Sequence, residues 1–186
     1  MSSPLLAEFE AEHRMLVLTA VEWRALQADP AVMADQVFDA LGQAGQPFDL
    51  HRLYQVIEQV VTKTYQDELD KRTYLSQLAG TGRVPVVDVP QDTAELAQLR
   101  QLVPRLSQAH RATLQLIYWD ELTLPELAFV QQIDPAKAAT KLASATTKFA
   151  AQIQRHTKKA TSRAEVAKLF RSLKPGIYHR WDLRLW

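Results

Sequence analysis

The segment LSQAHRATLQLIYWDELTLPELAFVQQIDPAKAATKLASATTKF, residues 106–149, reads as three helices separated by two tight turns. Its helix starts are legible residue by residue. Ser107 is a cap for the first helix. Thr123 opens the second, with Glu126 three residues on as its capping-box partner, and Pro125 sits in the first turn, where a missing N–H is tolerated. Asp134 followed by Pro135 marks the start of the third. The second helix spans about two turns, and Gln131-Gln132-Ile133 is the turn that follows it. Leu124, Leu127, Ala128 and Ile133 are its expected buried contacts. In the third helix Ala138, Leu142, Ala145, Phe149 and Ile153 repeat at helical spacing and are expected to face inward. The second and third helices together read as a helix-turn-helix, an arrangement that lays one helix in a DNA major groove.

The opposite face of that third helix carries Lys137, Lys141, Ser144 and Lys148, at spacings of four, three and four, with Thr140 beside them. Cations and hydroxyls in a row suit phosphates and base edges. A solvated helix face carries the same residue types, so the surroundings must weigh between the two. Charge does so. The chain is nearly neutral, at +1, but residues 1–136 hold 10 Lys and Arg against 19 Asp and Glu, whereas residues 137–186 hold 12 against 2. The net charges are therefore −9 and +10. Such asymmetry points to a nucleic-acid or acidic partner for the basic end, or else to two halves that neutralise each other within one fold.

Composition bounds the rest. At 186 residues the chain has room for one or two small domains. It contains no Cys, which excludes disulfides, thiolate metal sites and a Cys nucleophile. The start MSSPLLAEFEAEHR lacks a basic stretch followed by an apolar core, so no signal peptide is expected. No apolar run approaches a membrane span, and the expected location is the cytoplasm, at the nucleoid.

The whole chain reads as helical, so an all-α fold is expected. A first helix from Ser3-Pro4 to about Gln27 has Leu6, Phe9, His13, Leu16, Ala20 and Trp23 along one stripe. Asp29-Pro30 starts a second, to about Leu41, which buries Met33, Val37 and Leu41 and is broken by Gly42 and Gly45. Asp49 opens a third that extends to about Leu78, with Leu50, Leu53, Ile57, Val60 or Val61, and Thr64 inward. The stretch AGTGRVPVVDVPQD (79–92) is β-prone in its middle, but Pro85 and Pro90 make it an extended linker and the best domain boundary. Asp92 starts the next helix, which Pro104 interrupts. Ser162 with Glu165 forms another capping box and begins a basic terminal helix to about Leu173, followed by the tail IYHRWDLRLW. Trp181, Leu183 and Trp186 in that tail either pack on the body or dock on a partner, and the tail is a candidate brake over the DNA-facing helix.

A helical amino-terminal domain, a short Pro-containing linker and a carboxy-terminal helix-turn-helix together resemble the small sigma-70-class sigma factors of the extracytoplasmic-function type. The residues that carry the resemblance are Leu106, Arg111, Leu114, Leu116, Asp120-Glu121, Leu124, Glu126-Leu127-Ala128, Ile133-Asp134 and Leu142 with Ala145. ADPAVMADQVFDAL (28–41) and LYQVIEQVVTKTYQDELDKR (53–72) resemble, more loosely, the amino-terminal helices of the family. The resemblance implies four parts: a region-2-like domain at 1–78, a linker at 79–92, a region-4-like helix-turn-helix domain at 93–156 and a basic extension at 157–186. It also implies a transcription initiation factor that binds core RNA polymerase and reads promoter DNA, with an anti-sigma factor as a further candidate partner and with no cofactor and no metal. DNA contact falls to Lys137, Thr140, Lys141, Ser144 and Lys148. Polymerase contact falls to Asp35, Gln36 and Asp39, on a helix where the family carries an acidic pair and a Gln and this chain has Ala31, Val32 and Asp35. Promoter melting falls to Tyr54, Lys63 and Tyr65, with the two tyrosine rings stacking on unpaired bases. This chain departs from the family's basic cluster there with Gln66, Asp67, Glu68 and Asp70. The alternatives are a sigma-like interaction module or a stand-alone DNA-binding regulator that has lost promoter melting.

No catalytic constellation can be assembled. The five His residues (His13, His51, His110, His156 and His179) are scattered, and HExxH, EF-hand, P-loop and GxSxG patterns do not occur. Glu12 and His13 are neighbours in sequence and do not face each other on a helix. The chain is expected not to be an enzyme.

Overall fold

A computed structural model describes residues 4–24, 28–78, 93–158 and 160–174, and these form helices with no strand among them. The helices are α1 (Pro4–Glu22), α2 (Pro30–Ala44), α3 (Leu50–Leu78), α4 (Ala94–Arg100), α5 (Gln108–Tyr118), α6 (Leu124–Val130), α7 (Pro135–Thr157) and α8 (Arg163–Ser172), with a 3-10 turn at Val103–Arg105. None of them is long and apolar enough to cross a membrane. The expected linker 79–92 and the tail from residue 175, with its suggested braking role, lie outside the described residues.

Side-chain caps set most of the helix starts. Asp29 accepts from Ala31 N, Ser107 from His110 N, Asp134 from Lys137 N, and Thr123 and Ser162 form reciprocal capping boxes with Glu126 and Glu165. Each cap pairs one of the backbone N–H groups that a helix start leaves open. Four expected boundaries shift. Helix α1 stops at Glu22 rather than near Gln27, and α4 stops at Arg100, ahead of Pro104. Thr93, not Asp92, caps α4 through Leu96 N. Helix α2 runs through Gly42 to Ala44 and stops at Gly45, whose φ of +75° is cheap only for glycine. Gly42 stays helical because α1 needs the space: a Cβ there would stand 2.8 Å from a Leu6 methyl.

Helices α1, α2 and α3 share one core, in which Leu6, Val17, Ala20 and Val21 meet Met33, Val37, Phe38 and Leu41 and, from α3, Leu53, Val56, Ile57 and Val61. The α1 stripe differs from the expected one. Phe9, His13 and Leu16 are only half-buried, whereas Val17 and Val21 are fully covered. Leu16, Val17 and Leu18 are consecutive apolar residues, so periodicity alone does not select one face, and packing on α2 and α3 makes the choice.

The second core lies under α5, α7 and α8. Trp119 is its centre. Its ring stacks on Phe170 with centroids 4.9 Å apart, Trp23 meets it edge-on at 4.9 Å, and its Nε1 donates to the Phe170 carbonyl at 2.7 Å. Phe149 from α7 stands edge-on to Phe170 at 5.2 Å. Trp23 follows α1 in sequence but is buried in this core, so the amino-terminal unit is joined directly to the carboxy-terminal one. A third cluster completes the join: Tyr54 of α3 sits among Leu116, Leu122, Leu127, Ala128, Val130 and Ala138.

Two outcomes test this packing. Trp119→Ala removes the largest fully buried side chain and an indole hydrogen bond; it should lower unfolding free energy by about 3–5 kcal/mol in urea titrations. Glu165 accepts from the Ser162 N–H at 2.6 Å, and that bond holds its carboxyl below the usual carboxylate range. Its contribution is therefore present above the unfolded pKa and lost as pH falls through the folded one. An NMR titration should place its midpoint below that of a free glutamate side chain, and Ser162→Ala should raise it.

Candidate nucleic-acid interface

Helix α6 is seven residues long and its polar ends are closed locally. At its start Thr123 N donates to Glu126 Oε2 at 2.7 Å. At its end Ile133 N reaches back to the Ala128 carbonyl at 2.9 Å, and Gln132 takes a left-handed φ of +52°. The chain thus reverses within a few residues and enters α7 through the Asp134 cap. Leu127, Ala128 and Val130 are buried, and Ile133 is half-buried. Leu124 is 36% exposed and Phe129 52% exposed, so Leu124 faces outward rather than into the core as expected. With only two turns, α6 covers one narrow side, and Leu127 occupies the inward position that Leu124 would otherwise take.

All five inward residues expected on α7 are buried: Ala138, Leu142, Ala145, Phe149 and Ile153. That burial fixes the rotation of the helix and turns Lys137, Thr140, Ser144 and Lys148 out to solvent, with Lys141 half-buried. Helix α7 has no acidic residue and carries Lys137, Lys141, Lys148 and Arg155. Lys137 and Lys148 have no ion-pair partner among the described residues. Lys141 Nζ donates to Gln131 Oε1 at 3.1 Å, which ties it to the turn. Thr140 donates its hydroxyl to the Ala136 carbonyl at 2.9 Å, leaving its oxygen as an acceptor and its methyl outward.

His110 joins this face from α5. Its Nε2 lies 3.2 Å from Ser144 Oγ and its Nδ1 3.0 Å from the capping Ser107 Oγ. Sequence reading did not place it here because only the packing of α5 on α7 brings residues 34 apart in sequence together.

The other expected site residues divide into three places. Gln36, Asp39 and Lys63 line one groove of about 710 Å³ between α2 and α3, together with Asp67 and Glu68. Asp35 is on α2 as well but pairs with Arg14 of α1 at 2.5 Å. Tyr65 is half-buried. Tyr54 is completely buried against α6. In this arrangement its ring cannot reach a base, because its face already packs on Leu127, Ala128 and their neighbours. Burial, and next the nearby Asp120 charge, push its phenol well above the usual range.

The group that sets α6 and α7 against the amino-terminal unit is an ion pair that the sequence reading passed over. Asp120, 1% exposed, accepts Arg24 NH1 and NH2 at 2.8 Å each, and Trp23 Nε1 at 2.6 Å. Arg24, 2% exposed, also donates to the Ala20 carbonyl at 2.7 Å, and its guanidinium lies 4.0 Å from the Trp23 ring centre. Glu58 Oε1 stands 3.7 Å from Arg24 Nε. Burial works against the Arg24 charge, but the Asp120 carboxylate outweighs it and holds the group above its ordinary value. Beside this pair, His51 Nδ1 lies 2.7 Å from the Val130 carbonyl at the end of α6.

The chain matches no protein-family model, no curated protein and no solved structure. The geometry therefore carries the functional argument alone.

Removing one partner of a buried pair leaves the other charge without compensation. Asp120→Ala should cost about 3–5 kcal/mol. Arg24→Met/Asp120→Leu should recover most of that loss. Urea unfolding of the single and double variants measures both.

Proposed function

We propose that this protein is a DNA-binding transcription initiation factor of the sigma type. On this reading α7 enters the major groove with Lys137, Thr140, Lys141, Ser144 and Lys148, and helices α1–α3 bind core RNA polymerase through Asp35, Gln36 and Asp39. The observation that carries the proposal is the outward face of α7. It is acid-free and solvent-facing, and it is held at a fixed rotation by five buried residues behind it. A short capped helix and tight turn precede it, as in recognition helices that read base edges. The groove holding Gln36, Asp39 and Lys63 supports a separate protein contact on the amino-terminal unit.

The burial of Tyr54 favours a second reading, a DNA-binding regulator that does not melt promoters. The two differ in what they do with polymerase. Reconstitution with bacterial core polymerase, followed by gel filtration and run-off transcription on source-genome fragments, separates them. Co-elution with new transcripts supports the initiation factor. Co-elution without transcripts, or DNA binding without co-elution, supports the regulator.

Both readings share one expectation. Replacing Lys137, Lys141 and Lys148 together by Ala should weaken duplex binding and lower the slope of log affinity against log salt by about 3, one unit for each lost phosphate contact. Unchanged DNA binding by a folded triple variant would remove α7 as the recognition helix.

A further inference from the structure

A second basic feature lies beyond the outward face just described. The 3-10 turn and the last two turns of α7 enclose a cleft of about 360 Å³ lined by Leu102, Arg105, Gln152, Arg155 and His156. Every ionisable side chain in it is basic. Arg105 and Arg155 are exposed, and neither side chain has an ion-pair partner among the described residues. Cations in the last turn of α7 have an ordinary explanation, since Arg155 and His156 offset the negative end of the helix dipole. That explanation does not reach Arg105, which comes from a different element and joins the same cleft. Arg105 and Arg155 thus line one cleft that holds no carboxylate, and an anion bound there would meet positive charge from two elements. His156 Nε2 lies 3.3 Å from Gln98 Oε1, which places its ring at the edge of the cleft.

The cleft continues the α7 face. Lys141, Lys148 and Arg155 are spaced by seven residues, which keeps them on one side of a helix with only about 20° of drift per step. From Lys137 to Arg155 the rise is about 27 Å at 1.5 Å per residue. A major groove is about 12 Å wide. A straight row of that length outruns a groove that winds around the duplex, so its far end meets the sugar-phosphate backbone or lies free of DNA.

We propose that the Arg105–Arg155 cleft is a phosphate-binding site, in which the two guanidinium groups grip one phosphoryl group. Planar guanidinium forks bind phosphate oxygens in pairs, which suits a site with two of them. The phosphoryl chemistry stands by itself; its source as a DNA backbone phosphate rests on the function proposed above, and a free phosphoryl ligand is the other source.

The test uses the full chain with Arg side chains labelled for NMR. Inorganic phosphate should shift the Arg105 and Arg155 Nε–H signals saturably. Arg105→Gln/Arg155→Gln should abolish the saturable response while keeping the melting temperature, and Arg105→Lys/Arg155→Lys should weaken it, because Lys lacks the fork. No saturable shift in the unaltered protein overturns the site. With duplex DNA, the Gln double variant should lower the salt slope by about 2. A phosphate response with an unchanged slope overturns the DNA anchor and assigns the cleft to a free phosphoryl ligand. If the triple lysine variant binds DNA normally but the phosphate response persists, the proposed recognition helix fails and the cleft stands.

Discussion

The arrangement of this protein depends on one buried ion pair. Arg24 and Asp120 lie 96 residues apart in sequence and meet through two parallel N–H···O bonds, with the Trp23 indole closing on the same carboxylate. Taking two charges out of water is costly, and the geometry must supply nearly every hydrogen bond to offset it. That demand makes the contact directional in a way apolar packing is not. The end of α1 can sit against the α5–α6 turn in few other ways without stranding a charge. Trp23 then lies on Trp119, and Tyr54 is drawn against α6. The two units that a linker would leave independent share cores as a result.

This join has consequences for both candidate surfaces. It buries Tyr54 and covers the inner side of α6, but it leaves the outward face of α7 open. The outward row of α7 and the α2–α3 groove are therefore presented together by one packed body. On the proposed function, contacts to DNA and to polymerase would be made from a scaffold whose relative placement the buried pair sets.

Much of this was readable in the amino-acid order. Capping boxes at Thr123–Glu126 and Ser162–Glu165, the Asp134-Pro135 start and the five inward residues of α7 are local chemistry, and each stands where periodicity and capping rules place it. The Lys137, Lys141 and Lys148 row follows from the same periodicity. Leu124 was misplaced because a two-turn helix offers too few residues for a period to choose its face. The α1 stripe was rotated because its apolar residues run consecutively. The pairing of Arg24 with Asp120 left no sequence signal: Asp120 stood out only as part of the family pattern, and nothing local links it to an Arg 96 residues away.

The sequence by itself determined the helices, most of their caps, the rotation of α7 and the charge along it, because these depend on neighbours within about two turns. Only the tertiary structure decided which surfaces remain available. Tyr54 became a core residue, His110 came beside Ser144, and Arg105 came to the same cleft as Arg155. Those outcomes depend on contacts between residues dozens of positions apart. Such contacts are set by shape, desolvation and charge pairing across the whole fold, and no local pattern encodes them.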